Sequence, residues 1–287
     1  MKVKFLSAVA VLAMGFASEA AFADDAPSAA PAAPTPEFTI TGSAAIVSQY
    51  KFRGLTQSDS KPAVQAAFTV SHKSGFYLSF WGSSGAGHRN VDSSGFPTSD
   101  DFYLSPNNGT EIDVYGGYTH TFAKSGITLD GGLYGYIYPN ETANNLFEVY
   151  GDASKAYGPI SFKVGLNWAP KQHYFTAGGY TPQYSMYEYG EIGFTPVKIP
   201  ALNFHSHLGH TGGGLDFLGK EYIDYTVGVG YKWKALTFDI SAVGTNLSRS
   251  DAATYAGSVS EGTNPTLTNS YYRYGKFAPV ASITASF

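Results

Sequence analysis

Between Gly109 and Tyr138 the chain alternates apolar and polar residues along two runs joined by a short reversal. Ile112, Val114, Gly116 and Tyr118 take every second position, with Glu111, Asp113, Tyr115, Gly117 and Thr119 between them. Ala123-Lys124-Ser125-Gly126 then turns the chain, and Ile127, Leu129, Gly131, Leu133 and Ile137 alternate with Thr128, Asp130, Gly132, Tyr134 and Tyr136. Successive side chains of a strand point to opposite faces, so each run has one apolar and one polar face. Each run holds about ten residues, enough for a tilted strand to cross a bilayer. Strands of soluble domains are usually shorter, about 5–6 residues.

The pattern recurs along the chain. Strands are predicted at Phe38–Phe52, Pro62–His72, Phe76–Ser83, Asn145–Tyr157, Ile160–Trp168, Tyr184–Thr195, Ala201–His210, Lys220–Trp233, Leu236–Asn246 and Phe277–Phe287, beside the two above. Five tight turns alternate with six longer connections, among them Ser84–Asn108 and Leu247–Lys276. A secreted β-sandwich gives no reason for connection lengths to alternate so regularly. Bacterial outer-membrane barrels do, with short periplasmic turns and long extracellular loops. The expected fold is all-β: an antiparallel transmembrane barrel of about twelve strands over residues 38–287.

Composition agrees. Only 14% of the 287 residues are charged, against about 25% in an ordinary globular domain, while 22 tyrosines and 20 phenylalanines supply aromatic surface. Tyr50, Phe52, Tyr77, Trp81, Tyr136, Tyr138, Tyr157, Trp168, Tyr231 and Trp233 cluster near predicted strand ends, as interfacial girdles would. Lys2 and Lys4 precede the apolar run Phe5–Ala17, and Ala21-Phe22-Ala23 has the form of a cleavage site, so residues 1–23 read as a secretory signal peptide. Its loss would take the formal charge from −4 to −5. Residues 24–37 read as an Ala/Pro-rich periplasmic lead-in. With no cysteine, disulfides and thiolate chemistry are excluded. The final strand alternates up to Ile283 and Phe287, the pattern of a signal for the barrel-assembly machinery. Expected partners are outer-membrane lipid, periplasmic chaperones, that machinery, and small solutes or ions. The expected location is the outer membrane of a Gram-negative bacterium.

One short segment carries a resemblance. Ser48-Gln49-Tyr50-Lys51-Phe52-Arg53-Gly54-Leu55-Thr56-Gln57, followed by Pro62-Ala63-Val64-Gln65, resembles the opening of the TorF-type family of proteobacterial outer-membrane porins. The shared residues are Ser48, Tyr50, Phe52, Arg53, Gly54, Gln57 and Gln65; Thr56 stands where that family usually has Ser, and Ala66 where it usually has Gly. The resemblance covers about twenty residues and implies an outer-membrane barrel with pore activity; it supplies no substrate. From the residues alone, Arg53 either pairs with an acidic residue inside the barrel and holds its loop inward, or lines an anion-binding constriction with Lys51. Gly54 permits a backbone conformation closed to other residues.

If the apolar faces meet lipid, the lumen receives Glu111, Asp113, Asp130, Glu148, Asp152, Glu191, Asp224 and Asp239, against Lys51, Arg53, Lys163 and Lys232. His205 and His207 join them. An acidic lumen favours cations; the same charges could instead pair into a network that fills the barrel, since twelve strands lie between side-chain-filled and open barrels. No carboxylate stands at metal-ligand spacing from the two histidines in their strand, and no cofactor is expected. A lipid-hydrolysing barrel would need a Ser–His pair, but Ser206 faces away from both neighbouring histidines and no Gly-x-Ser-x-Gly elbow is present. No enzyme activity is therefore expected. An adhesion or structural barrel is the remaining reading. The charge balance argues against nucleic acid.

Overall fold

The computed structural model describes residues 36–85, 109–139, 145–172, 183–260 and 262–287. The segment expected as signal peptide and nearly all of that expected as lead-in, along with most of Ser84–Asn108, lie outside these residues.

Twelve antiparallel strands close into a barrel: β1 (Phe38–Val47), β4 (Ala63–His72), β5 (Phe76–Ser84), β6 (Thr110–Thr121), β7 (Thr128–Ile137), β8 (Leu146–Tyr157), β9 (Ile160–Ala169), β10 (Ser185–Phe194), β11 (Leu202–Gly213), β12 (Tyr222–Trp233), β13 (Leu236–Thr245) and β14 (Ala278–Ser286). Each pairs with its sequence neighbour, and β1 closes on β14, Ser43–Val47 lying opposite Ser286–Ser282. The seam is extended by Gly42 N donating to Phe287 O at 2.8 Å and Phe287 N to Gly42 O at 3.0 Å. Closure leaves no open sheet edge, the condition for β-structure in hydrocarbon.

The period-2 pattern sets which way every side chain points. Ile40, Leu133, Val164 and Leu208 are 60–70% exposed on the outer face, while their odd-even neighbours point inward. An apolar outer wall of this extent fits a lipid environment and no aqueous one. Among the described residues no helix is long and apolar enough to cross a membrane.

Three expectations are corrected. The first strand stops at Val47 rather than Phe52: Ser48 N reaches Ala281 O at 2.8 Å, and the chain then leaves the wall and folds inward as a small hairpin, β2 (Lys51–Phe52) and β3 (Leu55–Thr56). The connection Leu247–Lys276 is not irregular but holds two helices, α1 (Arg249–Val259) and α2 (Pro265–Gly275). Ser248 and Asp251 form a reciprocal capping box at the start of α1, and Asn264 caps α2 with Pro265 in its first turn, the residues these positions favour. Finally, the aromatic set divides. Tyr157, Trp168, Tyr231 and Trp233 face outward, but Tyr50, Tyr77, Trp81 and Tyr136 are buried inside the barrel. Strand-end position cannot distinguish the faces; residue parity does.

Candidate functional site: the barrel interior

The first loop, residues 48–62, determines the shape of the interior. Gln57 N donates to Tyr50 O at 2.8 Å and Tyr50 N to Ser58 Oγ at 2.9 Å, fixing a compact hairpin. Its tip needs two left-handed residues, Arg53 (φ 46°) and Gly54 (φ 76°). At Gly54 a Cβ would come within 2.8 Å of Asp224 Cβ and 2.9 Å of Gly244 O, so glycine is required for both conformation and space. The motif residues are thus mostly the loop's own fasteners. Gln65, by contrast, is an inward residue of β4 that donates to Ser83 Oγ at 3.4 Å.

The loop is tied to the wall and to the helices. Arg53 Nη2 lies 2.8 Å from both carboxylate oxygens of Glu148, and both side chains are almost fully buried. Tyr136 Oη (3.0 Å) and Asn167 Nδ2 (2.9 Å) also donate to Glu148. The guanidinium carbon stands 4.2 Å from the Tyr187 ring centre and 4.7 Å from that of Phe52. Lys51 is buried too, but its Nζ donates only to carbonyls, those of Gly54 (3.1 Å), Lys276 (3.0 Å) and Tyr274 (3.5 Å). Two of these belong to the end of α2, where carbonyls lack helical partners. Arg273 of α2 reaches Asp59 at 2.6 Å. Loop and helix pair therefore form one body. Of the two readings of Arg53 open from sequence, the structure has the ion pair.

Every acidic lumen candidate on a strand points inward. Nearer the long loops, Glu111 accepts from Tyr50 Oη (3.1 Å) and Asp113 from Tyr134 Oη (2.6 Å). His207 stands between Glu191 (Nδ1, 3.2 Å) and Asp224 (Nε2, 3.3 Å), with Tyr187 Oη 2.6 Å from Nε2. Glu111, Asp113, Glu148, Glu191, His207 and Asp224 are all buried; Tyr50 and Tyr134 bond the first two, Tyr136 bonds Glu148, and Tyr187 bonds His207 and Asp224. Toward the short turns the interior loosens. Asp130 accepts from Tyr77 (2.7 Å), whose hydroxyl also bonds that of Tyr150, and Lys163 pairs with Asp152 at 3.0 Å. His205 Nε2 lies 2.7 Å from Asp239, which Ser241 also meets at 2.5 Å. The inward Thr39, Thr41, Thr121 and Ser161 are exposed at this mouth. The barrel is thus filled at its long-loop end and open to solvent at its short-turn end.

The filling depends on residues that the charge pattern did not single out. The inward glycines Gly165 and Gly209 give their space to the rings of Tyr189 and Tyr187, which any Cβ there would strike. Inward Gly opposite inward Tyr in the neighbouring register was the available signal. The Ser206 considered above pairs with neither neighbouring histidine: it faces outward with its Oγ 3.5 Å from Ile192 O. Among the described residues no three His, Asp or Glu side chains stand where they could hold a metal ion together.

Residues 30–272 match the model of the family described as "Bacterial protein of unknown function (Gcw_chp)". None of the curated proteins matches the chain. Among solved structures, the KdgM porin superposes with a TM-score of 0.50 at 12% identity, covering 86% of this chain and 99% of the porin. The NanC porin gives 0.49 at 12% identity over 87% and 99% of the two chains, and an outer-membrane channel from Pseudomonas putida F1 gives 0.47 at 12% over 88% and 97%. The likeness to KdgM, at this identity, is one of fold. The chain is a member of the Gcw_chp family, built as a closed twelve-stranded barrel with the fold of an outer-membrane porin.

Proposed function

We propose that the protein is a porin-like channel of the bacterial outer membrane that passes small hydrophilic solutes or ions by diffusion and favours cations. The observation that carries this is the inversion of faces: an apolar outer wall encloses an interior lined with ionisable and hydroxyl side chains. Along the interior the carboxylates Glu111, Asp113, Asp130, Glu148, Asp152, Glu191, Asp224 and Asp239 outnumber Lys51, Arg53, Lys163 and Lys232, a balance that favours cations within the lumen although the short-turn rim itself is basic. The motif from Ser48 to Gln65 supports placing the chain among the TorF-type porins. On this reading residues 1–23 direct export, and the outward Ile283 and the terminal Phe287 serve recognition by the assembly machinery.

The test is single-channel conductance of refolded protein in a planar bilayer under a salt gradient. Discrete steps with a reversal potential favouring cations are expected, and Asp130→Asn should weaken that preference. The packed long-loop half favours a second reading, a barrel closed at rest. If properly folded, heat-modifiable protein is silent both as wild type and after the Arg53–Glu148 tie is cut, the channel reading fails and a structural barrel replaces it.

A further inference from the structure

The short-turn rim carries a charge pattern that neither the fold nor the pore requires. The five turns read Lys73-Ser74-Gly75, Phe122-Ala123-Lys124-Ser125-Gly126-Ile127, Gly158-Pro159, Thr195-Pro196-Val197-Lys198-Ile199-Pro200-Ala201 and Lys234-Ala235. Four contain a lysine, the fifth has Lys155 on the strand leading into it, and none contains Asp or Glu. All five lysines are exposed. Lys73 lies 3.5 Å from Glu37; for the other four no carboxylate lies within ion-pair distance among the described residues. Solvated turn lysines are common singly. A lysine in or just before every turn, with only Lys73 of the five within ion-pair distance of a carboxylate among the described residues, makes a ring of positive charge around the whole circumference.

We infer that this ring binds the phosphates of anionic phospholipids in the facing leaflet. A protein partner would meet one side of the rim, whereas a leaflet meets all of it. The lysines also sit beside outward aromatic and apolar side chains at the same level. Lys234 Nζ stands 5.2 Å from the Trp233 ring centre, Lys155 shares the outer face of β8 with the exposed Tyr157, and Lys198 lies between the exposed Val197 and Ile199. Apolar stems and rings at the acyl boundary with ammonium groups reaching the headgroups is how such side chains meet a membrane surface. At the opposite rim Arg273 and Lys220 are engaged with Asp59 and Asp251. This inference rests on the membrane reading of the barrel but not on the pore, so a silent channel leaves it standing.

The chain carries its own reporters. Trp233 is outward at the short-turn rim, Trp168 is outward at the far end of its strand, and Trp81 is buried within. Refolded Trp168→Phe protein is placed in vesicles of phosphatidylcholine with a minor share of brominated phosphatidylglycerol, and quenching of Trp233 reports the lipid at the lysine rim. Trp233→Phe protein reports the other rim through Trp168. A lysine at an anionic leaflet is worth about fivefold in local preference. Trp233 should therefore see phosphatidylglycerol enriched about fivefold over its bulk share, lose that enrichment in Lys234→Gln or at high salt, and Trp168 should see none. Native mass spectrometry of the Lys73→Gln, Lys124→Gln, Lys198→Gln, Lys234→Gln protein should show fewer retained phosphatidylglycerol molecules than wild type. Bulk-level quenching at Trp233, or equal enrichment at both rims, overturns the inference. So does its abolition by inorganic phosphate at constant ionic strength, which would make the ring a site for soluble anions. The salt arm uses the unaltered rim and stands even if the fourfold variant fails to fold.

Discussion

Cutting the tie between Arg53 and Glu148 should release the first loop while leaving the barrel wall intact. In Arg53→Met, Glu148 keeps only Tyr136 and Asn167 as donors, both neutral, at a side chain 1% exposed. Leaving one member of a buried ion pair without its partner costs about 3–5 kcal/mol. The wall has no cheap way to relieve that cost, because β8 is paired along its length with β7 and β9. The hairpin does: moving it out lets water reach Glu148. At about 1.4 kcal/mol per tenfold, the docked-to-released equilibrium should shift by roughly two to three and a half orders of magnitude. The cysteine-free chain allows a direct assay. Ser58 is 1% exposed in the docked loop, so maleimide labelling of Ser58→Cys follows the released population. Arg53→Met should accelerate labelling by that factor and raise single-channel conductance, with little change in the barrel's denaturation midpoint. The double variant Arg53→Met, Glu148→Leu leaves no orphaned charge and should label much more slowly than the single one. If single and double variants label alike, unpaired charge is not what governs the loop. If the barrel itself melts, the separation of loop from wall is wrong.

Two further outcomes follow from the same structure. Leu133 is 66% exposed on the outer face near the middle of β7, so Leu133→Arg should lower the refolding stability measured by urea titration in lipid by about 2–4 kcal/mol. In the helical loop, the Asp251 carboxyl is lowered to about 2 from 3.8, first by the Ser248 backbone N–H, then by Lys220 and the Ser248 hydroxyl. A depressed carboxylate stabilises its cap above the unfolded value and loses that contribution as pH falls through the folded one. Hydrogen-exchange protection of the α1 amides should therefore hold at pH 5 and fall between about pH 4 and pH 2. Asp251→Asn should remove this dependence; unchanged pH sensitivity in that variant would mean another group controls it.

Much of this architecture was legible in the chain. A period of two over about ten residues fixes strand, face and length together, and one-residue slips would turn Ile112 inward and Glu111 toward lipid, so the register of each hairpin follows from its sequence. Short turns alternating with long connections gave the even strand count. The inward placement of Glu111, Asp113, Asp130, Glu148, Asp152, Glu191, Asp224 and Asp239 is the same parity read from the other side. The helices were less visible, because a capping box such as Ser248–Asp251 is a local signal that competes with loop-like composition.

What sequence could not decide is whether the lumen is full. Filling depends on which residues meet from distant parts of the chain: Arg53 with Glu148, 95 positions later, and Lys51 with the carbonyl of Lys276. Local alternation acts within one strand and its neighbour, so it determines the wall. The plug is made by a loop that leaves the wall and meets partners contributed by distant strands, and only closure of the barrel brings those partners within reach.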